Sequence, residues 1–272
     1  MHVGGKVGIV RAYLAAAQLS FRRYRTYGAA NLSGLLTNAF FGIIRSSIFI
    51  ALYRNRPEAE GYDLGAALTY VWVTQALIMP LYLWGWQEIA ATIRSGSVAT
   101  DLARPIDYFG YWLSQDFGRA LYHILYRLLP TVAVGLFLFR IRLPHNPLTW
   151  LAFPLALALA IVISFCFRFI INLGSFWLTD LRGLYAFALI FINLFSGFLV
   201  PLAFFPGGIR TVVQYLPFAG MIAIPLNIFL ERLSFGQLLA ALAQQIGWVA
   251  ILILASQRFL QRATRKLVVQ GG

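Results

Sequence analysis

Acidic residues are scarce, nine Asp and Glu in 272 residues against 22 Lys and Arg. Lysine occurs only as Lys6 and Lys266, histidine only as His2, His123 and His145, and cysteine only as Cys166. Each shortage excludes a chemistry. A single cysteine inside an apolar run allows no internal disulfide and no thiolate metal site. The three histidines lie far apart with no H-x-x-x-H pair, and no Cys/His/carboxylate cluster has metal-ligand spacing. A P-loop needs lysine after its glycine. Lys6 follows Gly4 and Gly5 but leads into Val7 and a helix with no preceding strand, so ATP is not bound by that route. No G-x-S-x-G elbow is present. The nine acids (Glu58, Glu60, Asp63, Glu88, Asp101, Asp107, Asp116, Asp180 and Glu231) all fall in loops or at the ends of the expected helices. No span then holds an acid to take up and release a proton, which weighs against an ion-driven transporter. The chain is expected to have no catalytic centre and to bind no metal or cofactor.

What the sequence has in excess is apolar surface. Hydrophobic residues make up 60% and charged residues 11%, with a mean hydropathy of +0.74. A soluble domain carries roughly 25% charged residues. The composition fits lipid as the solvent, and a crossing needs about 20 apolar residues. Six stretches qualify: 27–53, 64–86, 118–139, 149–176, 184–203 and 236–257. We expect an all-α integral membrane protein forming one domain over 1–272, without internal repeats. Residues 211–230 are long enough for a seventh crossing. However, Pro201, Pro206, Gly207, Gly208, Pro217 and Pro225 break 201–225 into short pieces, since each internal proline removes a backbone hydrogen bond. With six crossings and both termini in the cytoplasm, 13 basic residues fall inside and six outside, as the positive-inside rule requires. Residues 204–230 then form an outer re-entrant helical hairpin, buried in protein or lining water.

The N-terminal 1–26 places Arg11, Gln18, Arg22 and Arg25 in one arc at helical spacing, with Ile9, Tyr13, Ala16, Ala17 and Tyr24 opposite. This is an amphipathic helix for the membrane surface, or a plain cytoplasmic extension of the first span. Arg11 interrupts any signal-peptide core. Basic clusters at both ends of the chain flank apolar runs, which fits anionic lipid rather than nucleic acid. A cytoplasmic loop, 87–117, carries mixed charge with Gly96 as a break, and Arg104-Pro105 ends its second helical piece.

Three arginines lie within the spans. Arg45 and Arg168 are placed to snorkel. Arg127 is near the middle of span three, where Arg119, His123 and Arg127 share a face that is wet or turned to protein, with backbone carbonyls as the alternative partners for Arg127. Tyr70, Thr74 and Gln75, with Asn193 and Ser196, are uncharged polar groups that line a pathway or bond helices together. Most of Trp72, Trp84, Trp86, Trp112, Trp150, Trp177 and Trp248 read as interfacial belt residues.

Three features together resemble the permease subunits of bacterial ABC-2-type exporters across the whole chain. They are the amphipathic helix before span one, the loop ending D-L-A-R-P-I-D (101–107), and S-G-F-L-V-P-L-A-F-F-P (196–206) followed by L-P-F (216–218). The resemblance implies a bacterial inner-membrane protein that moves an amphiphilic small molecule, drug or lipid- or glycan-like substrate outward. ATP and Mg would sit on a separate ATPase dimer, and a second permease subunit, identical or homologous, would complete the path. It also implies coupling to the ATPase through Glu88, Arg94, Asp101, Arg104 and Asp107. A substrate path would run by Tyr70, Thr74, Gln75, Arg127, Asn193 and Ser196. An outer gate would be formed by Pro201, Phe204, Phe205, Pro206 and Pro217. The rival from the residues alone is a secondary transporter or channel without an ATPase.

Overall fold

The computed structural model describes residues 3–26, 28–55, 57–82 and 87–266. His2, Arg56, Trp84 and Trp86 lie outside the described residues, as do the side chain of Lys6 and the end of the second span at 83–86. The helices are α1 (Val3–Arg25), α2 (Gly28–Leu52), α3 (Leu64–Leu81), α4 (Glu88–Arg94), α5 (Val98–Leu102), α6 (Tyr108–His123), α7 (Leu129–Phe139), α8 (Pro147–Leu173), α9 (Arg182–Phe195), α10 (Gly207–Val213), α11 (Ala223–Phe229) and α12 (Phe235–Thr264). A π-helical turn at Ile124–Leu128 joins α6 to α7. The one β-sheet among the described residues is a hairpin, β1 (Glu58–Ala59) with β2 (Tyr62–Asp63). Glu60 and Gly61 both have positive φ there, as a type I′ turn requires.

Among the described residues, five stretches are long and apolar enough to cross a membrane: Asn31–Leu52, Leu64–Leu81, Tyr108–Phe139, Pro147–Phe176 and Phe235–Thr264. The expected third span starts ten residues earlier than its sequence boundary, because Asp107 caps α6 by accepting from the Gly110 N–H at 2.6 Å. The stretch 184–203 is not one helix. It begins as α9, of 14 residues, which rise about 21 Å and fall short of a hydrocarbon core of about 30 Å. Residues 211–230 form no long helix, and α10 and α11 have seven residues each.

α3 is the centre of the molecule. It is apolar all round, the pattern of a helix enclosed by others, and Ala67–Ile78 is buried without a break. Trp72 sits in it fully buried, between Gly42 of α2 and Gly135 of α7. A Cβ on those glycines would approach its indole to 3.0 and 2.7 Å respectively. Lipid gives no hydrophobic drive for helix association, so close van der Waals fit at small residues carries it. Trp72 and Trp112, expected in the belt, are core residues, whereas Trp150 and Trp177 are exposed.

α1 uses the same device. It runs beside α6, with Tyr13 against Gly110, Ala17 against Gly118 and Tyr24 edge-on to His123. Of the side expected to be apolar, Ala16 is buried and Tyr13, Ala17 and Tyr24 are half-buried, while Ile9 stays exposed. That face is therefore largely spent on protein. Arg11, Gln18, Arg22 and Arg25 are exposed, as their arc requires.

Candidate coupling end and buried polar network

α4 and α5 close the end of the bundle beyond α3. Gly96, with φ +77°, makes the turn between them, a conformation that only glycine adopts freely. α4 is rooted on both sides. Ile89 and Ala90 are fully buried, and the Ala90 N–H donates to Asn172 Oδ1 of α8 at 2.9 Å. The Asn172 amide in turn donates to the Tyr185 hydroxyl of α9 at 2.7 Å and to the Arg168 carbonyl at 2.6 Å. Glu88 pairs with Arg23 of α1 at 2.5 Å. Asp101 and Arg104 pair with each other at 3.0 Å, and Arg104 stacks on the Tyr111 ring at 4.6 Å. Asp107 is the α6 cap, and Arg94 ends α4 in an exposed position.

Directly inward lies an ion cluster that the sequence reading missed. Asp116 of α6 is buried and accepts from Arg168 of α8 on both oxygens, at 2.9 and 2.8 Å, and from Arg119 Nε at 2.8 Å. Arg119 also donates to the Met79 and Pro80 carbonyls, at 2.7 and 2.9 Å, and Ser164 donates to that of Leu81 at 2.5 Å. These are the last carbonyls of α3, beyond the reach of its own N–H groups, although that of Met79 also accepts from the Tyr82 N–H that caps the helix, at 3.1 Å. Two guanidiniums and one carboxylate leave a net positive charge where the α3 dipole is negative. Three expectations are thereby corrected. Asp116 is neither in a loop nor at a helix end. Arg168 does not snorkel. Arg119, one of the 13 basic residues counted on the inner side, is interior. A signal was available: Ser164, Arg168 and Asn172 recur every fourth residue on an otherwise apolar helix and share one face. Asp116 still offers little to an ion-driven mechanism, since both its oxygens are held by guanidiniums.

A second node joins α2, α3 and the segment after α9. Arg45 donates to the Phe198 and Leu199 carbonyls at 2.8 and 3.1 Å and to Thr74 Oγ1 at 3.3 Å. It too is tied to backbone rather than snorkelling, because the chain leaves helical geometry after Phe195 and frees those carbonyls. Tyr70 donates to the Gly197 carbonyl, and Ser196 accepts at its carbonyl from the Ala223 N–H at 2.9 Å. Tyr70, Thr74 and Ser196 are thus brought together with Arg45. Gln75 is buried, its carbonyl accepting from Asn38 at 3.3 Å, and Asn193 is half-buried on α9. Arg127 is buried on the π turn and donates to the Asn31 carbonyl at 3.3 Å, its guanidinium filling the space beside Gly34. The Arg119, His123 and Arg127 face is turned to protein. Arg119 meets α3, His123 meets Tyr24, and Arg127 meets the start of α2.

At the far end, Pro201 and Pro217 are buried, Phe204 and Phe205 are half-buried and Pro206 is exposed. Phe204 packs edge-on to Tyr62 at 5.8 Å, and Phe218 stacks on Phe167 at 4.9 Å. Gln245 of α12, fully buried, donates to the Gly220 and Ala156 carbonyls at 2.7 and 3.1 Å. Beside these pieces opens a cavity of about 610 Å³ lined in part by Tyr62, Tyr70, Arg210, Asn227, Arg232 and Gln244.

The chain is a multi-pass helical membrane protein whose charged end is tied to its interior. It belongs to the ABC-2 transporter family, since the family model described as "ABC-2 family transporter protein" matches residues 41–271, most of the chain. No curated protein and no solved structure matches it. As a permease of that family it is a transport component, not itself catalytic, and such permeases generally work with an ATPase partner.

Proposed function

We propose that the chain is the permease subunit of an ATP-driven exporter in a bacterial inner membrane, and that a separate ATPase dimer docks on α4 and α5. The observation that carries this reading is how α4 is rooted. A push on it reaches α1 through Glu88–Arg23, α8 through Ala90–Asn172 and α9 through Asn172–Tyr185. The Asp116 cluster lies between this end and α3. Arg94, Asp101 and Arg104 are the charges left to meet the partner, and Glu88 and Asp107 shape the loop from within.

In this reading both termini are cytoplasmic, and α9 with residues 196–203 makes the sixth crossing, ahead of a re-entrant outer hairpin at 204–230. A second permease copy or homologue faces α2 and α9, whose outer faces carry Leu36, Phe40, Ile44, Phe187 and Ile190 exposed. The substrate is an amphiphilic small molecule, drug or lipid- or glycan-like compound. It passes Tyr70 and the outer cavity, with the Pro201–Pro217 segment as gate.

The test is proteoliposomes holding the chain with a candidate partner ATPase. Substrate movement should require ATP hydrolysis and stop when Asp101 and Arg104 are each reversed, while the variants still insert. Uphill movement by the chain without any ATPase sinks the proposal.

A further inference from the structure

We propose that the groove between α1, α6 and α8 is a binding site for one anionic phospholipid of the leaflet facing α1. This inference is independent of what the permease transports. The groove holds about 800 Å³. Its two ends differ. α1 lies beside α6 only as far as the pairings Ala17–Gly118 and Tyr24–His123, so its contribution, including Gln18, Arg22 and Arg25, lines one half. α8 runs antiparallel, with Arg168 level with Asp116. Its Trp150, Pro154 and Leu157 therefore line the other half, together with Leu129.

The charge at the first end is free for a ligand. Of the arginines ending α1, Arg23 is taken by Glu88, whereas no carboxylate among the described residues pairs with the exposed Arg22 or Arg25, and no acid lines the groove. The second end is apolar throughout and opens sideways, with Leu129 and Trp150 each about half exposed. From His123, level with Tyr24 at the end of α1, to Trp150, set along α8 from the Arg168–Asp116 pair, the groove rises about 16 Å, about half the roughly 30 Å hydrocarbon core. That is the reach of an acyl chain from one leaflet. A phosphate on Arg22 and Arg25, with its tail along Leu129 and Trp150, satisfies both ends at once. A zwitterionic lipid leaves the arginine charge uncompensated, and a free phosphate leaves the apolar half empty.

The experiment is lipid retention by the purified full-length chain in native mass spectrometry, comparing phosphatidylglycerol with phosphatidylcholine of the same acyl composition. A cation near an anionic headgroup favours it about fivefold, so the wild type should prefer phosphatidylglycerol about 25-fold. R22Q/R25Q should lose that preference and keep phosphatidylcholine binding, and A158W, which fills the groove and leaves both arginines in place, should lose both lipids. R11Q/R258Q, removing two exposed arginines elsewhere, should behave as wild type. An undiminished preference in R22Q/R25Q, an equal loss in R11Q/R258Q, unchanged retention in A158W, or displacement by inorganic phosphate alone each overturns the site.

Discussion

Asp116 and Arg168, 52 residues apart in sequence, form a two-pronged ion pair in the interior, with both carboxylate oxygens bound at 2.9 and 2.8 Å. Arg119 completes the cluster and ties it to the end of α3. The carboxylate holds two buried guanidiniums together, so its charge is what keeps α3, α6 and α8 in register at this end.

Asp116→Asn should therefore be costly, because it leaves two cations facing each other without a counter-charge. Breaking a buried pair in this way costs about 3–5 kcal/mol. Thermal unfolding of the purified chain should show a clear loss, and Arg168→Lys should not restore the two-pronged geometry. Wild-type stability in D116N would mean that water or lipid reaches the cluster.

Gly118→Ala tests the contact between α1 and α6. The new Cβ would lie 1.9 Å from the Ala17 carbonyl oxygen, which is backbone and cannot swing aside. The helices must separate, and trypsin should then cut after Arg22, Arg23 or Arg25 roughly tenfold faster, as expected when local opening becomes easier. Gly183→Ala, where a Cβ meets nothing within 4 Å, is the control and should be cut at the wild-type rate.

For Asp101 and Arg104 the informative variant is the exchange D101R/R104D. Their pair is partly exposed, and such pairs contribute about 0.2–1 kcal/mol, so the exchanged protein should insert and fold normally. If these charges meet the ATPase, the exchange uncouples hydrolysis from transport as fully as either single reversal. Restored coupling would show that the pair only shapes the loop.

Glu231, between α11 and α12, has its carboxyl held below the usual 4.5, chiefly by the Asn146 backbone N–H, which donates to it at 2.6 Å, against desolvation and with help from the His145 backbone N–H and Thr149. A depressed folded-state value contributes stability above the unfolded value, and that contribution is lost as pH falls through the folded value. The difference in thermal midpoint between wild type and Glu231→Gln should thus be constant above about pH 5 and shrink below pH 4.5. A difference that does not change with pH would remove the carboxylate from the account.

The helical membrane character was legible because composition leaves lipid as the solvent and the spans are long uncharged runs. The prolines at 201, 206, 217 and 225 likewise announced a segment unable to form a long helix, as α10 and α11 bear out. The boundary of the third span was misplaced because Asp116 read as a loop charge; a charge neutralised by partners on other helices is indistinguishable in sequence from one that faces water. Arg45 and Arg168 were read as snorkelling for the same reason. Their partners are carbonyls freed after Phe195 and a carboxylate on another helix, and neither is local.

The sequence by itself determined the solvent and the helices, because these follow from residue type and spacing along one chain. Only the tertiary structure decided which polar groups meet. The matching of Asp116 with Arg168, of Arg119 with the end of α3 and of Asn172 with α4 depends on how separate helices are rotated and set in depth against one another. Close packing at Gly42, Gly118 and Gly135 fixes that arrangement, and it exists only once the helices have assembled.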